Sequence, residues 1–188
     1  MRAFVSINLP EEIKDKLNKI QSEIKTLIRA DENRYIRWEN RDKFHMTLFF
    51  LGDTEEKILN RISEKFERLS EKPNMKEITF TGNMISGFPK ENSSRIIFAG
   101  LANEDNRADE LFREISVILE EEGFKADKRF HPHITLARVK TDRRINLSEI
   151  RKKISTDIKF TVKEFYLMES ILHPRGSIYK EFRKFSLS

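Results

Sequence analysis

The chain has 188 residues and a mass of 22.4 kDa, the size of one compact domain or of two small lobes sharing a surface. It has no cysteine, which excludes disulfides, thiolate metal sites, iron–sulfur clusters and a cysteine nucleophile. The formal net charge is +5, which mildly favours a polyanionic partner. Charged residues make up 36% and hydrophobic residues 38%, and no apolar run approaches the roughly 18 to 20 residues of a membrane span. The first ten residues alternate apolar and polar rather than forming a signal peptide, so a cytoplasmic protein without a membrane partner is expected.

Ala3 to Leu9 reads as a strand, with Phe4, Ile7 and Leu9 apolar. Pro10-Glu11-Glu12 opens a helix, where proline suits the first turn and the acids suit the positive helix end. Ile13, Leu17, Ile20, Ile24 and Leu27 then follow at helical spacing. Ile36–Trp38 and Phe44–Leu51 read as strands. Thr54 starts a second helix, with Ile58, Ile62, Phe66 and Leu69 on one side. Ile78–Thr81 is a strand, Gly87-Phe88-Pro89 a turn and Arg95–Ala99 a further strand.

The second half repeats the pattern. Asp109 to Leu119 is helical and Gly123 closes it as a C-cap. His133–Val139 reads as a strand, Asn146–Ile154 as a short helix, Ile158–Met168 as one long strand and Ser177–Phe185 as the last. Strictly alternating strands interleaved with helices suggest sheets with one covered and one open face, hence an α+β fold.

Two of the four histidines carry the same flank: His45-Met46-Thr47-Leu48 and His133-Ile134-Thr135-Leu136, 88 residues apart. With 9 threonines and 15 leucines in the chain, this coincidence arises by chance on the order of once in ten thousand chains. In a strand, residues i and i+2 share a face. His45 and Thr47 therefore point one way while Met46 and Leu48 point to the core, and His133 and Thr135 repeat this. Two lobes facing each other would bring two imidazoles and two hydroxyls together. Imidazole is the side chain best suited to acid–base work near neutral pH, and threonine hydroxyls donate to an anion. This set suits in-line displacement at phosphorus.

Here the sequence resembles the 2H phosphoesterase superfamily, in its RNA 2′,3′-cyclic phosphodiesterase branch, also called the 2′-5′ RNA ligase family. The matching stretches are Met1–Phe4, Phe44–Gly52, Gly87–Pro89, Arg95–Gly100, Pro132–Arg138 and Ser170–Tyr179. The resemblance implies a bilobal α+β fold with a pseudo-two-fold axis. It implies two pseudo-symmetric, intertwined lobes over residues 1–188, each with a mainly antiparallel sheet facing a central cleft. It further implies metal-independent hydrolysis of RNA 2′,3′-cyclic phosphate ends to 2′-phosphomonoesters, without a cofactor, with His45 as proton donor and His133 as proton acceptor. Thr47 and Thr135 would hold the non-bridging oxygens. Arg138 matches a family arginine and would contact phosphate, although strict alternation puts it on the opposite face unless the strand bends. Phe98 stands where family members often carry tryptophan, and is left with two roles, stacking on a base or packing in the core.

The implied substrate is RNA with cyclic-phosphate ends, tRNA fragments included, acted on by a monomer, with reverse 2′-5′ ligation as a second direction. Two alternatives keep the fold: a phosphodiesterase for small cyclic nucleotides, and a non-catalytic RNA-end binding module. His131-x-His133 has the spacing of a metal pair but lacks a third ligand nearby, and Tyr179 is open to a substrate contact or to packing. No glycine-rich phosphate loop is present. From Gly123 to Lys152 nine basic residues face three acidic ones, net +6, so the positive excess brackets His133.

Overall fold

A computed structural model describes residues 1–125, 130–140, 142–174 and 176–187. The order of elements is β1 (Arg2–Asn8), α1 (Glu11–Leu27), a single turn α2 (Ala30–Asn33), β2 (Ile36–Trp38), a 3₁₀ turn (Arg41–Lys43), β3 (His45–Asp53), α3 (Glu56–Ser70), β4 (Ile78–Lys90), β5 (Ser93–Ala102), α4 (Arg107–Glu121), β6 (His133–Val139), β7 (Lys159–Val162), β8 (Glu164–Ile171) and β9 (Ile178–Ser186). Two antiparallel sheets result. The first has the order β3-β1-β8-β9 and the second β2-β6-β5-β4-β7. The architecture is α+β and bilobal. Each lobe contains the same unit, a strand, a helix and then a histidine strand paired with the first: β1–α1–β3 in one and β5–α4–β6 in the other.

The helices form where the apolar spacing predicts. Ile13, Leu17, Ile20 and Ile24 of α1 are buried, and Glu11 in its first turn pairs with Lys14 and Arg41. Leu59, Ile62, Phe66 and Leu69 line the buried side of α3, where Phe66 meets Phe165 and Phe185 edge-on. Helix α4 ends as expected at Gly123, whose φ of +88° places it in the region that favours glycine. Lys65 and Arg61 of α3 reach Glu121 and Glu122 at the end of α4. One apolar cluster joins residues from both sheets and from α1, α3 and α4.

Four expectations are corrected. Gly87-Phe88-Pro89 is not a turn but the end of β4. Gly87 is small because Ser94 Oγ lies 2.0 Å from where its Cβ would be, a close approach of neighbouring strands rather than a bend. Asn146–Ile154 is a run of turns and not a helix. The Asn146 side chain caps the amide of Ser148, and Ile145 and Leu147 are tied to Ser94 and Glu91 by backbone bonds. The long strand expected over Ile158–Met168 breaks at Lys163 into β7 and β8, which belong to different sheets. Buried positions step by two through Phe160 and Val162, then by three to Phe165, so the side-chain phase changes where the chain crosses over. Finally, β1 has no open face, since Ala3 through Ile7 are all buried. The ring of Phe4 is covered by His45, Tyr179 and Phe50.

Among the described residues no helix is long and apolar enough to cross a membrane.

Candidate active site

The two histidine strands have the same burial sequence: half-buried His, buried, half-buried Thr, two buried, exposed, buried. The doubled buried position marks a bulge. Along β3 the register steps from Thr47 opposite Ser6 to Phe49 opposite Val5, passing over Leu48. Along β6 it steps from Thr135 opposite Phe98 to Ala137 opposite Ile97, passing over Leu136. An extra residue in a strand reverses the facing of the residues after it. Phe50 thus returns to the face of His45 and Thr47, and Arg138 to the face of His133 and Thr135. The bend that Arg138 requires is present, and its side chain is exposed on the cleft side.

Each imidazole is anchored by its own strand entrance. Nδ1 of His45 lies 2.7 Å from the carbonyl of Lys43, and Nδ1 of His133 lies 2.6 Å from the carbonyl of His131. A carbonyl only accepts, so Nδ1 carries the proton in both rings and Nε2 is left to accept when the ring is neutral or to donate when it is charged. Nε2 of His45 meets Thr47 Oγ1 at 3.1 Å. Among the described residues, Nε2 of His133 has no hydrogen-bond partner.

Aromatic rings hold both histidines. Phe4 and Tyr179 stand 5.2 and 5.1 Å from His45 by ring centroid. Phe88 and Phe98, stacked on each other at 4.4 Å, each stand 5.2 Å from His133 and meet it edge-on. Phe98 pairs directly with Thr135 across β5 and β6 and is half-buried. It therefore lies on the cleft wall and not in the core. Beside it, a groove of about 230 Å³ is lined by Asn83, Met84, Ser86, Phe88, Phe98 and His131, among others.

Burial lowers the pKa of both histidines, because an imidazolium loses hydration there. The positive charge of Arg138 lowers both further, and His133 also depresses His45. Glu39 acts the other way on His45. Gln21 of α1, buried, donates to the carbonyls of Glu39 and Leu136 at 2.8 and 3.0 Å, so the helix of one lobe braces the bulge of the other lobe's histidine strand.

The His131-x-His133 pair forms no metal site in the described structure. The His133 Nδ1 proton is directed to the His131 carbonyl, and no three His, Asp or Glu side chains among the described residues group around a common point. Phe88 and Arg37 were not singled out from the sequence. Phe88 meets His133 only because β4 and β5 pair, and Arg37 lies opposite Arg138 only because β2 adds to the second sheet. The basic excess around His133 is also divided. Arg151 and Lys152 are spent on Glu91 and Glu149, while Arg138 faces the cleft.

The fold of two facing antiparallel sheets is shared with known proteins. The family model of LigT-like phosphoesterases matches residues 7–98 and 101–179, and the chain belongs to that family. Similar proteins include the RNA 2′,3′-cyclic phosphodiesterase of Archaeoglobus fulgidus, 32% identical over 98% of this chain and 99% of the relative. That of Methanocaldococcus jannaschii is 33% identical over 96% and 97%. Among solved structures, TT0787 of Thermus thermophilus superposes with a TM-score of 0.81 at 27% identity, covering 100% of this chain and 98% of that one. E. coli LigT complexed with 3′-AMP shares the fold, with a TM-score of 0.79 at 22% identity over 100% and 98% of the two chains.

Proposed function

We propose that this phosphoesterase hydrolyses RNA 2′,3′-cyclic phosphate ends to 2′-phosphomonoesters, with His45 and His133 as acid and base. The observation that carries the reading is the paired imidazole geometry. In both rings the Nδ1 proton is fixed by the carbonyl two residues back, so both Nε2 atoms are committed to the cleft, and Arg138 is felt by both. The names of the relatives from Archaeoglobus fulgidus and Methanocaldococcus jannaschii support the RNA substrate.

In the proposed reaction the cyclic phosphate binds as a monoanion, its non-bridging oxygens taking hydrogen bonds from Thr47 and Thr135 and a charge-assisted contact from Arg138. Neutral His133 takes a proton from water at Nε2. The water oxygen bonds to phosphorus as the bond to O3′ breaks, and His45 at Nε2 gives the departing oxygen its proton. The uneven burial supports this division. His133 Nε2 has no partner to displace among the described residues, which suits the group that meets water. His45 is deeper and holds Thr47. Its lowered pKa leaves it neutral in the free protein at neutral pH, and the bound anion draws it into the charged form that a donor needs. Phe98, stacked on Phe88, would offer its ring to the terminal base in the adjoining groove. In 2′-5′ ligation a 5′-hydroxyl would take the place of water, its oxygen bonding to phosphorus as the bond to O3′ breaks and its proton passing to the base, and no nucleotide cofactor is needed because the strained cyclic ester supplies the leaving group.

Phosphorus NMR of the product from an RNA ending in a 2′,3′-cyclic phosphate tests the reading. A single 2′-phosphomonoester resonance is expected, formed equally well in the presence of EDTA. A 3′-phosphomonoester, or no conversion, contradicts it. Equal kcat/KM on the RNA and on a nucleoside 2′,3′-cyclic phosphate would favour the small-nucleotide alternative, and unchanged substrate the binding module.

A further inference from the structure

Arg37 of β2 and Arg138 of β6 are direct cross-strand partners, a placement that sets Cβ atoms about 5 Å apart and is unfavourable for like charges. Both side chains are exposed, and neither forms an ion pair or hydrogen bond among the described residues. A third cation completes the arrangement. Arg37 Nη2 and Lys43 Nζ lie 3.0 and 3.4 Å from the point where a Cβ on residue 176 would sit. That residue is Gly176, with φ at +112°, so two cationic heads converge on a gap that a side chain would fill. Glu39 is the acid of this neighbourhood, felt at Tyr179 and His45. It makes no salt bridge to any of the three cations, and its carboxylate instead accepts from the amide of Asn40. Among the described residues these cations outnumber the acid beside them, a cost to the fold that an anion would remove.

The cluster divides in two. Arg138 is felt at both histidines and at Tyr179, whereas Arg37, one strand farther from His133 and with its head beside Lys43 at Gly176, is felt at Tyr179. Arg138 thus serves the phosphorus between the imidazoles, and Arg37 with Lys43 serves a separate negative charge next to it. A nucleoside cyclic phosphate has only one phosphate. An RNA strand has a second, the phosphodiester on the 5′ side of its terminal nucleoside.

We propose that Arg37 and Lys43, converging at Gly176, form a second anion subsite that takes the phosphodiester preceding the cyclic phosphate, and so make the enzyme prefer a strand to a mononucleotide. The inference rests on the cyclic-phosphodiesterase reading above. The test compares kcat/KM for a dinucleotide ending in a 2′,3′-cyclic phosphate with that for the corresponding nucleoside 2′,3′-cyclic phosphate. In the unaltered protein the ratio is expected to exceed about tenfold, the scale of one charged hydrogen bond. Arg37→Ala, and more fully Arg37→Ala with Lys43→Ala, should collapse the ratio towards one, and Arg37→Lys should restore part of it. A dinucleotide whose internal linkage is an uncharged methylphosphonate should lose the same factor in the unaltered protein and nothing further in Arg37→Ala. A purely structural role for Arg37 would not reproduce that coupling. Thermal melting checks folding, and removing one of two like charges should not lower Tm. An unchanged ratio in the variants overturns the proposal, as does an equal loss on both substrates, which would assign Arg37 to the reacting phosphate. If neither cyclic phosphate is hydrolysed, the activity reading fails. The subsite is then judged by binding, with a dinucleotide 3′-phosphate expected to lose affinity in Arg37→Ala and a nucleoside 3′-phosphate not. The absence of that contrast overturns it.

Discussion

The two histidine strands are alike in backbone and unlike in surroundings. Both begin with a His whose Nδ1 meets the carbonyl two residues back, and both bulge after the Thr. Yet His45 sits between Phe4 and Tyr179 with Nε2 on Thr47, while His133 stands against a stacked phenylalanine pair and the open groove. The residue five after each histidine differs most. It is Phe50 in one lobe, 70% exposed, and Arg138 in the other. The duplicated backbone aims two equivalent imidazoles, and the neighbours make them chemically inequivalent.

Attempts to break this asymmetry begin with the histidines. His45→Ala and His133→Ala should each cut kcat/KM by about a thousandfold, within the usual range for general acid–base groups, with the protein still folded by circular dichroism. The double variant should be little worse than either single one, because the groups act as a unit. Near-normal turnover by any of them contradicts the mechanism. Next, Arg138→Ala should cost about tenfold to a hundredfold in kcat/KM, the worth of a charged contact to phosphate. It should also shift the pH profile. In the free protein both histidines lie below the ordinary imidazole value of about 6.5, so the maximum of kcat/KM should fall on the acid side of it. Losing Arg138 removes a cation that disfavours both imidazolium ions, so the maximum should move to higher pH. A shift to lower pH would contradict the placement of Arg138. Phe98→Ala should raise KM about tenfold on an RNA end while changing kcat little, in line with one lost stacking contact. An unchanged KM would return Phe98 to packing alone. The smallest effect is structural. Gln21→Ala removes a donor from the carbonyls of Glu39 and Leu136, the second of which keeps its bond from the Glu39 amide, and should cost about 1 kcal/mol, or a few degrees in Tm for a chain of this length. An unchanged Tm would remove Gln21 from the bracing of β6.

The sequence carried the repeated strand with little loss. Alternation through His45-Met46-Thr47-Leu48 and His133-Ile134-Thr135-Leu136 put each His and Thr on one face, and the structure has them there. Alternation cannot foresee where it is interrupted, and the bulges at Leu48 and Leu136 turn Phe50 and Arg138 to the cleft. One interruption did leave a trace. The step of three from Val162 to Phe165 marks the crossing between sheets at Lys163. The glycine in Gly87-Phe88-Pro89 suggested a turn because glycine permits one, whereas here it admits Ser94 from the neighbouring strand. Phe88 and Arg37 were illegible for a related reason. Their roles come from strands far away in the chain, and nothing local in either sequence announces the partner.

The division of labour between the lobes is tested most directly by changing the leaving atom. With a cyclic phosphate whose 3′ oxygen is replaced by sulfur, the departing thiolate needs no proton. On that substrate His45→Ala should recover to within about tenfold of the unaltered protein, while His133→Ala, still lacking a base for water, should stay at least about a hundredfold below it. Recovery of His133→Ala instead, or equal recovery of both, would contradict the assignment of acid to one lobe and base to the other.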